Sequence, residues 1–70
     1  MNEGDRVVSM YGDWYPAFGD GPWVPLSRGQ KLTIARRQRI GGALFFAFEE
    51  MGDDSLLYLA SGFRPDAALN

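Results

Sequence analysis

Leu26-Ser27-Arg28-Gly29-Gln30-Lys31-Leu32-Thr33-Ile34-Ala35-Arg36-Arg37-Gln38-Arg39-Ile40-Gly41-Gly42-Ala43-Leu44-Phe45-Phe46-Ala47-Phe48 is the stretch that decides the fold. It contains a β-branched alternating run, a glycine pair that reverses the chain, and a second apolar run, which together read as a β-hairpin. From Lys31 the side chains alternate, with Leu32 and Ile34 on one face and Lys31, Thr33 and Ala35 on the other. Arg37 and Arg39 continue the outward parity. Arg36 and Gln38 fall on the inward parity, where long side chains are tolerable only at the end of the strand, with their heads in water. The turn sets the register. A two-residue loop at Gly41-Gly42 pairs Ile40 with Ala43 and puts Leu44, Phe46 and Phe48 on the face of Arg37 and Arg39, against burial. A three-residue turn, Ile40-Gly41-Gly42, pairs Arg39 with Ala43 and Ile34 with Phe48, so that Leu32, Ile34, Leu44, Phe46 and Phe48 share one face. The second register is the expectation, and it places Arg37 across from Phe45.

Working outward, Gly4 to Tyr11 carries Val7, Val8 and Met10 and reads as the first strand. Gly12 to Pro25 follows, with Gly12, Asp13, Gly19, Asp20, Gly21-Pro22 and prolines at 16, 22 and 25, a density of breakers that excludes helix and central strand. Trp14, Tyr15, Phe18 and Trp23 sit within it. Linkers are poor in large apolar groups, so this loop is expected to fold back on the barrel that the strands make. Beyond the hairpin, Met51-Gly52-Asp53-Asp54-Ser55 reads as a turn and Leu56-Leu57-Tyr58-Leu59 as a short strand. Ala60-Ser61-Gly62 is long enough for one 3₁₀ turn before a last strand at Phe63-Arg64, which Pro65 stops or edges. Residues 66–70 are expected to fray.

With 70 residues the chain is one domain, residues 1–70, of a size at which a single apolar core leaves little margin. It has no Cys and no His to supply a disulfide or a zinc site, so the 46% hydrophobic and 14% aromatic content must carry stability. A monomer or weak homodimer is expected. Absence of Cys, an acidic first segment Met1-Asn2-Glu3-Gly4-Asp5 and a longest apolar run of only Ala43 to Phe48 read as a cytoplasmic protein without a membrane span. The net charge of −2 is unevenly spread: residues 1–27 carry −3, residues 28–39 carry +5 and residues 40–70 carry −4. The central block is either a ligand patch or the partner of the flanking acids.

About five short strands, one long early loop and a 3₁₀ turn before the last strand describe an all-β fold, a small bent barrel. The series Gly4-Asp5-Arg6-Val7-Val8, Leu26-x-x-Gly29-x-x-Leu32-Thr33-Ile34, Leu44 to Glu50 and Ala60-Ser61-x-Phe63-Arg64-Pro65 resembles the small stand-alone SH3-like β-barrel proteins of bacteria, phages and prophages. The resemblance covers most of the chain apart from the aromatic loop and the tail. It implies an SH3-like barrel serving as an accessory module.

Chemistry is sparse. Without His or Cys, proton carriers are limited to carboxylates, Lys31 and tyrosines, and the adjacent pairs Glu49-Glu50 and Asp53-Asp54 point to opposite faces of an extended strand, so they form no dyad. Asp53-Asp54-Ser55 lacks the spaced ligands of a calcium loop, and no strand-to-helix phosphate motif surrounds the glycines. A non-enzymatic protein without cofactor or metal is expected. The aromatic loop is the leading candidate for a protein or peptide partner, through Trp14, Tyr15, Phe18 and Trp23 with Tyr58 beside them. It resembles the acidic aromatic loop beside the peptide groove of SH3 domains, although the chain has neither the adjacent Trp pair nor the Ala-Leu-Tyr-Asp-Tyr signature of proline-rich-peptide binders. The alternative is nucleic-acid binding by a strip of Arg36, Arg37, Arg39 and Lys31, with Arg28 near its start and Phe45 and the loop tryptophans for stacking.

Overall fold

The computed structural model describes residues 1–20, 23, 25–52 and 55–66. Gly21-Pro22, Asp53-Asp54 and the tail 67–70, for which turns and fraying are expected, lie outside the described residues. Five antiparallel strands form one sheet: β1 (Arg6–Ser9), β2 (Lys31–Ile40), β3 (Ala43–Phe48), β4 (Tyr58–Leu59) and β5 (Phe63–Pro65), in the order β4-β3-β2-β1-β5. The 3₁₀ turn Ala60–Gly62 joins the two edges, β4 and β5, and no ladder connects them among the described residues. The ladders therefore form an open sheet, and barrel closure is not among the pairings. Pro65 sits on edge strand β5, where a missing N–H costs no central ladder bond. Among the described residues no helix is long and apolar enough to cross a membrane.

One interior is built from both ends of the chain. Val7, Leu26, Leu32, Ile34, Phe46, Phe48, Leu56, Tyr58 and Phe63 form the main core, with Trp14, Leu44, Met51 and Ala60 packed against it. Its rings meet mostly edge-on or tilted, as the ring quadrupoles favour: Phe48 and Phe63 have centroids 4.8 Å apart, and Phe46 and Phe48 6.1 Å. The inward set anticipated in the hairpin, Leu32, Ile34, Leu44, Phe46 and Phe48, shares this interior. A second, smaller cluster lies on the opposite face of β3, where Phe45, Ala47 and Leu57 are buried with Ile40 and Ala43 beside them.

The hairpin reaches that arrangement by a different route from the one expected. Ile34 does pair with Phe48, but the turn is the two-residue Gly41-Gly42, with Ile40 opposite Ala43, and the extra residue is a β-bulge at Ala35. Both glycines have positive φ, 59° and 83°, the pair of left-handed conformations that a primed two-residue turn requires and that side-chain-bearing residues adopt only with strain. The bulge flips everything after it. Arg37 faces Phe46 and Arg39 faces Leu44 on the core side, while Arg36 and Gln38 face Ala47 and Phe45 on the other. The expected pairing of Arg37 with Phe45 is thus replaced by Gln38 with Phe45.

The remaining elements are shorter than their sequence segments. β1 covers Arg6–Ser9 within Gly4 to Tyr11, and of Leu56 to Leu59 only Tyr58–Leu59 forms β4, Leu57 making an isolated bridge to Phe18. Glu49–Met51 forms a 3₁₀ turn. Asp66 departs from the fraying expectation, since its backbone N–H donates to the Arg6 carbonyl at 3.0 Å and its carboxylate lies 3.7 Å from Lys31 Nζ.

Candidate interaction surface

The long connection between β1 and β2 is held at two bridges. At the first, Leu26 N–H donates to Trp14 O at 2.8 Å and Asp13 N–H to Leu26 O at 2.7 Å. At the second, Ala17 N–H donates to Leu57 O at 2.8 Å and Leu57 N–H to Phe18 O at 3.0 Å. Asp13 takes the left-handed conformation, φ 57°, which a short polar side chain tolerates. The first bridge closes the connection on itself and the second ties it to Leu57, next to β4, so the loop folds back on the sheet as its aromatic content anticipates.

Its rings divide by position. Trp14 is half-buried and faces the core, 5.0 Å from Phe63 and 5.8 Å from Tyr58 between centroids. Its Nε1–H donates to Ser9 Oγ at 2.9 Å, and that hydroxyl donates in turn to Tyr11 O at 2.7 Å, so the polar atoms of both groups are satisfied. Gly62 makes room for the indole: a β-carbon there would stand 2.8 Å from Trp14 Cζ2. Tyr11, Tyr15, Phe18 and Trp23 remain between 44 and 56% exposed. Phe18 lays one edge on Phe45 at 5.3 Å, and Trp23 Nε1–H donates to Gly19 O at 3.0 Å.

Tyr58, expected near the contact surface, is fully buried. Burial raises its phenol pKa above the ordinary tyrosine value, and its hydroxyl lies 3.5 Å from Met51 Sδ. A partner touching the loop does not reach it. Tyr11, at the end of the segment expected to form the first strand and not among the expected binding residues, is the most exposed ring of the group. The signal available for it was position alone, just past the last residue of β1.

The cations do not form one strip. Lys31 lies at the start of β2 beside Asp66, and Arg28 Nε donates to Met10 O at 3.4 Å. Arg36 is on the outer face, bonded to Gln38 Oε1. Arg37 and Arg39 share the core-side face, whereas Arg36 lies with Lys31 on the opposite one. Phe45, considered for stacking, is buried beneath Phe18. Arg37 donates to Asn2 Oδ1 at 2.7 Å and Arg39 to the Gly42 carbonyl at 3.3 Å. Of the acids, Glu50 is committed elsewhere: Thr33 N–H and Oγ1–H donate to it at 2.7 and 2.8 Å, and Arg6 lies 3.7 Å away. Burial acts to raise its carboxyl pKa, but the hydrogen bonds from Thr33 and from its own backbone, with the Arg6 charge, outweigh burial and hold it below the usual glutamate range.

Comparison with protein-family models, with curated proteins and with solved structures finds no match to this chain.

Proposed function

We propose that this chain is a small non-enzymatic interaction module of SH3-like architecture that holds a protein or peptide partner against the exposed rings of the loop between β1 and β2. The architectural part is supported by the strand order β4-β3-β2-β1-β5, the long connection after β1 and the 3₁₀ turn between the edge strands. The resemblance to stand-alone SH3-like proteins adds the rest of this reading: a cytoplasmic accessory protein of bacterial or phage type, working as a monomer or weak homodimer.

One observation carries the binding part. Four large rings, Tyr11, Tyr15, Phe18 and Trp23, stay exposed on a connection that is bridged at Trp14–Leu26 and at Phe18–Leu57. Exposed aromatics that need little further ordering are what binding hot spots are made of, because the entropy of fixing the loop is spent on folding rather than on association. The test is to pan a displayed random-peptide library against the protein and map the selected peptides by amide chemical shifts. Shifts centred on residues 11–23, and a loss of about 2 kcal/mol or more for Tyr15→Ala or Trp23→Ala with folding unchanged, are expected. Peptides that bind both variants as well as the parent, or that shift only β2 and β3, overturn the reading.

A further inference from the structure

The bulge at Ala35 creates a second feature, independent of the loop. Up to Ile34, β2 is held on its β1 side, where Gly4 N–H donates to Ile34 O at 2.8 Å and Ile34 N–H to Asp5 O at 3.0 Å. Asn2 and Asp5 close a tight turn above that point, with Asp5 N–H donating to Asn2 O at 3.0 Å and Asn2 N–H to Asp5 Oδ2 at 2.9 Å. Past Ala35, β2 continues with β3 alone as a two-stranded arm. Bulges bend their strand and increase its twist. Between the N-terminal turn and the arm lies an open recess of about 490 Å³, lined by Asn2, Glu3, Arg37, Gln38, Arg39 and Leu44.

The lining is selective in its chemistry. Arg37 and Arg39 stand two residues apart on one strand face, about 7 Å along the backbone. Asn2 gives its carbonyl oxygen to Arg37, which leaves its amide N–H donors as the group it offers a ligand. Glu3 is the one carboxylate among these residues, so the recess keeps a net positive charge. Among the described residues its lining includes no aromatic ring on which a base would stack. Paired guanidinium forks with an amide donor suit an oxyanion with several acceptor oxygens, and the volume exceeds what a lone carboxylate fills.

We propose that this recess binds a phosphoryl group, with Arg37 and Arg39 as the donors that hold it, Asn2 as a third donor and Glu3 as a carboxylate in the lining whose charge opposes it. The phosphoryl group comes either from a small phosphoester or from the backbone of a single strand of nucleic acid. The experiment titrates the whole chain at low ionic strength with inorganic phosphate and, separately, with oligothymidylate, following the Arg side-chain Nε–H and Asn2 amide resonances. Saturable shifts at Arg37, Arg39 and Asn2 with both probes, with the oligonucleotide the tighter and its affinity falling with a log–log salt slope of about −1.4, indicate a strand contacting the two arginines through two phosphates. Saturation with phosphate alone supports a small phosphoester.

Arg39→Gln is expected to weaken binding about tenfold, as loss of one charged hydrogen-bond donor does. Its contact with the Gly42 carbonyl lies within its own turn, so this single variant keeps the test open if the double Arg37→Gln/Arg39→Gln variant fails to fold. Glu3→Gln is expected to tighten binding several-fold. No shift with either probe, an affinity unchanged by Arg39→Gln, or an affinity unchanged by Glu3→Gln would falsify the proposal.

Discussion

Two segments leave β2, one at each end, and they are held in opposite ways. The connection before it is irregular and rich in breakers, yet it is tied down by an indole lodged against the core and by two backbone bridges. The arm after Ala35 is regular β-structure, yet beyond the bulge its core-side face turns from Ile34 to Arg37 and Arg39. Regular backbone and anchorage are separate properties. Anchorage comes from what a segment places in the interior, and the breaker-rich loop places more there than the arginine-bearing end of the hairpin does.

The largest expected effect tests the loop's anchor. Trp14→Ala removes a large ring packed on Phe63 and Tyr58 and leaves the Ser9 hydroxyl without its donor, which should lower unfolding free energy by about 3 kcal/mol or more in urea denaturation. A loss below about 1 kcal/mol would mean that the bridges alone hold the loop and would erase the contrast with the arm. Next is Gly62→Ala. Its β-carbon enters the space of the indole, and a cost of about 1–3 kcal/mol is expected, shrinking when the same change is made in a Trp14→Ala background. Additive losses in the two backgrounds would show that Gly62 matters for some reason other than the ring.

The smallest effect concerns the base of the arm, where Glu50 braces Thr33 and Arg6 one residue before Ile34. The folded-state carboxyl pKa is depressed, so the brace contributes fully above the ordinary glutamate value of about 4.3 and is lost as pH falls through the lower folded value. At neutral pH Glu50→Gln should cost less than about 1 kcal/mol, since the site is partly open to solvent. Urea midpoints measured from neutral to acidic pH should fall less steeply in the variant than in the parent, while Trp14 fluorescence shows the loop anchor indifferent to this range.

Much of the fold was legible because burial leaves a periodic trace. Leu32, Ile34, Leu44, Phe46 and Phe48 sort onto one face under any register that keeps Ile34 opposite Phe48. That constraint requires one extra residue on the β2 side but does not place it. An enlarged turn at Ile40 and a mid-strand bulge at Ala35 give the same apolar set and opposite faces for residues 36–39. The glycine pair held the missing hint, since two successive left-handed residues favour a two-residue turn. Position in the loop likewise did not tell Trp14 from Trp23, because the difference depends on Gly62 and Ser9, remote or unremarkable in sequence. Tyr58 misled for a related reason. A tyrosine in a short edge strand reads as a surface residue until the rings of Phe48, Phe63 and Trp14 are found around it.

The pairing of β1 with β5 has a consequence for how the chain folds during synthesis. Val7, Val8 and Ser9 find their partners at Pro65, Arg64 and Phe63, so β1 waits for nearly the whole sequence before one of its two neighbours exists. The hairpin of β2 and β3, joined by a two-residue turn, forms on the microsecond scale of isolated hairpins, whereas pairings between remote segments are slow to close. A ribosome therefore releases this sheet late, with the apolar face of a finished hairpin uncovered until Phe63 emerges, and that interval is when a nascent chain of this kind is most exposed to aggregation.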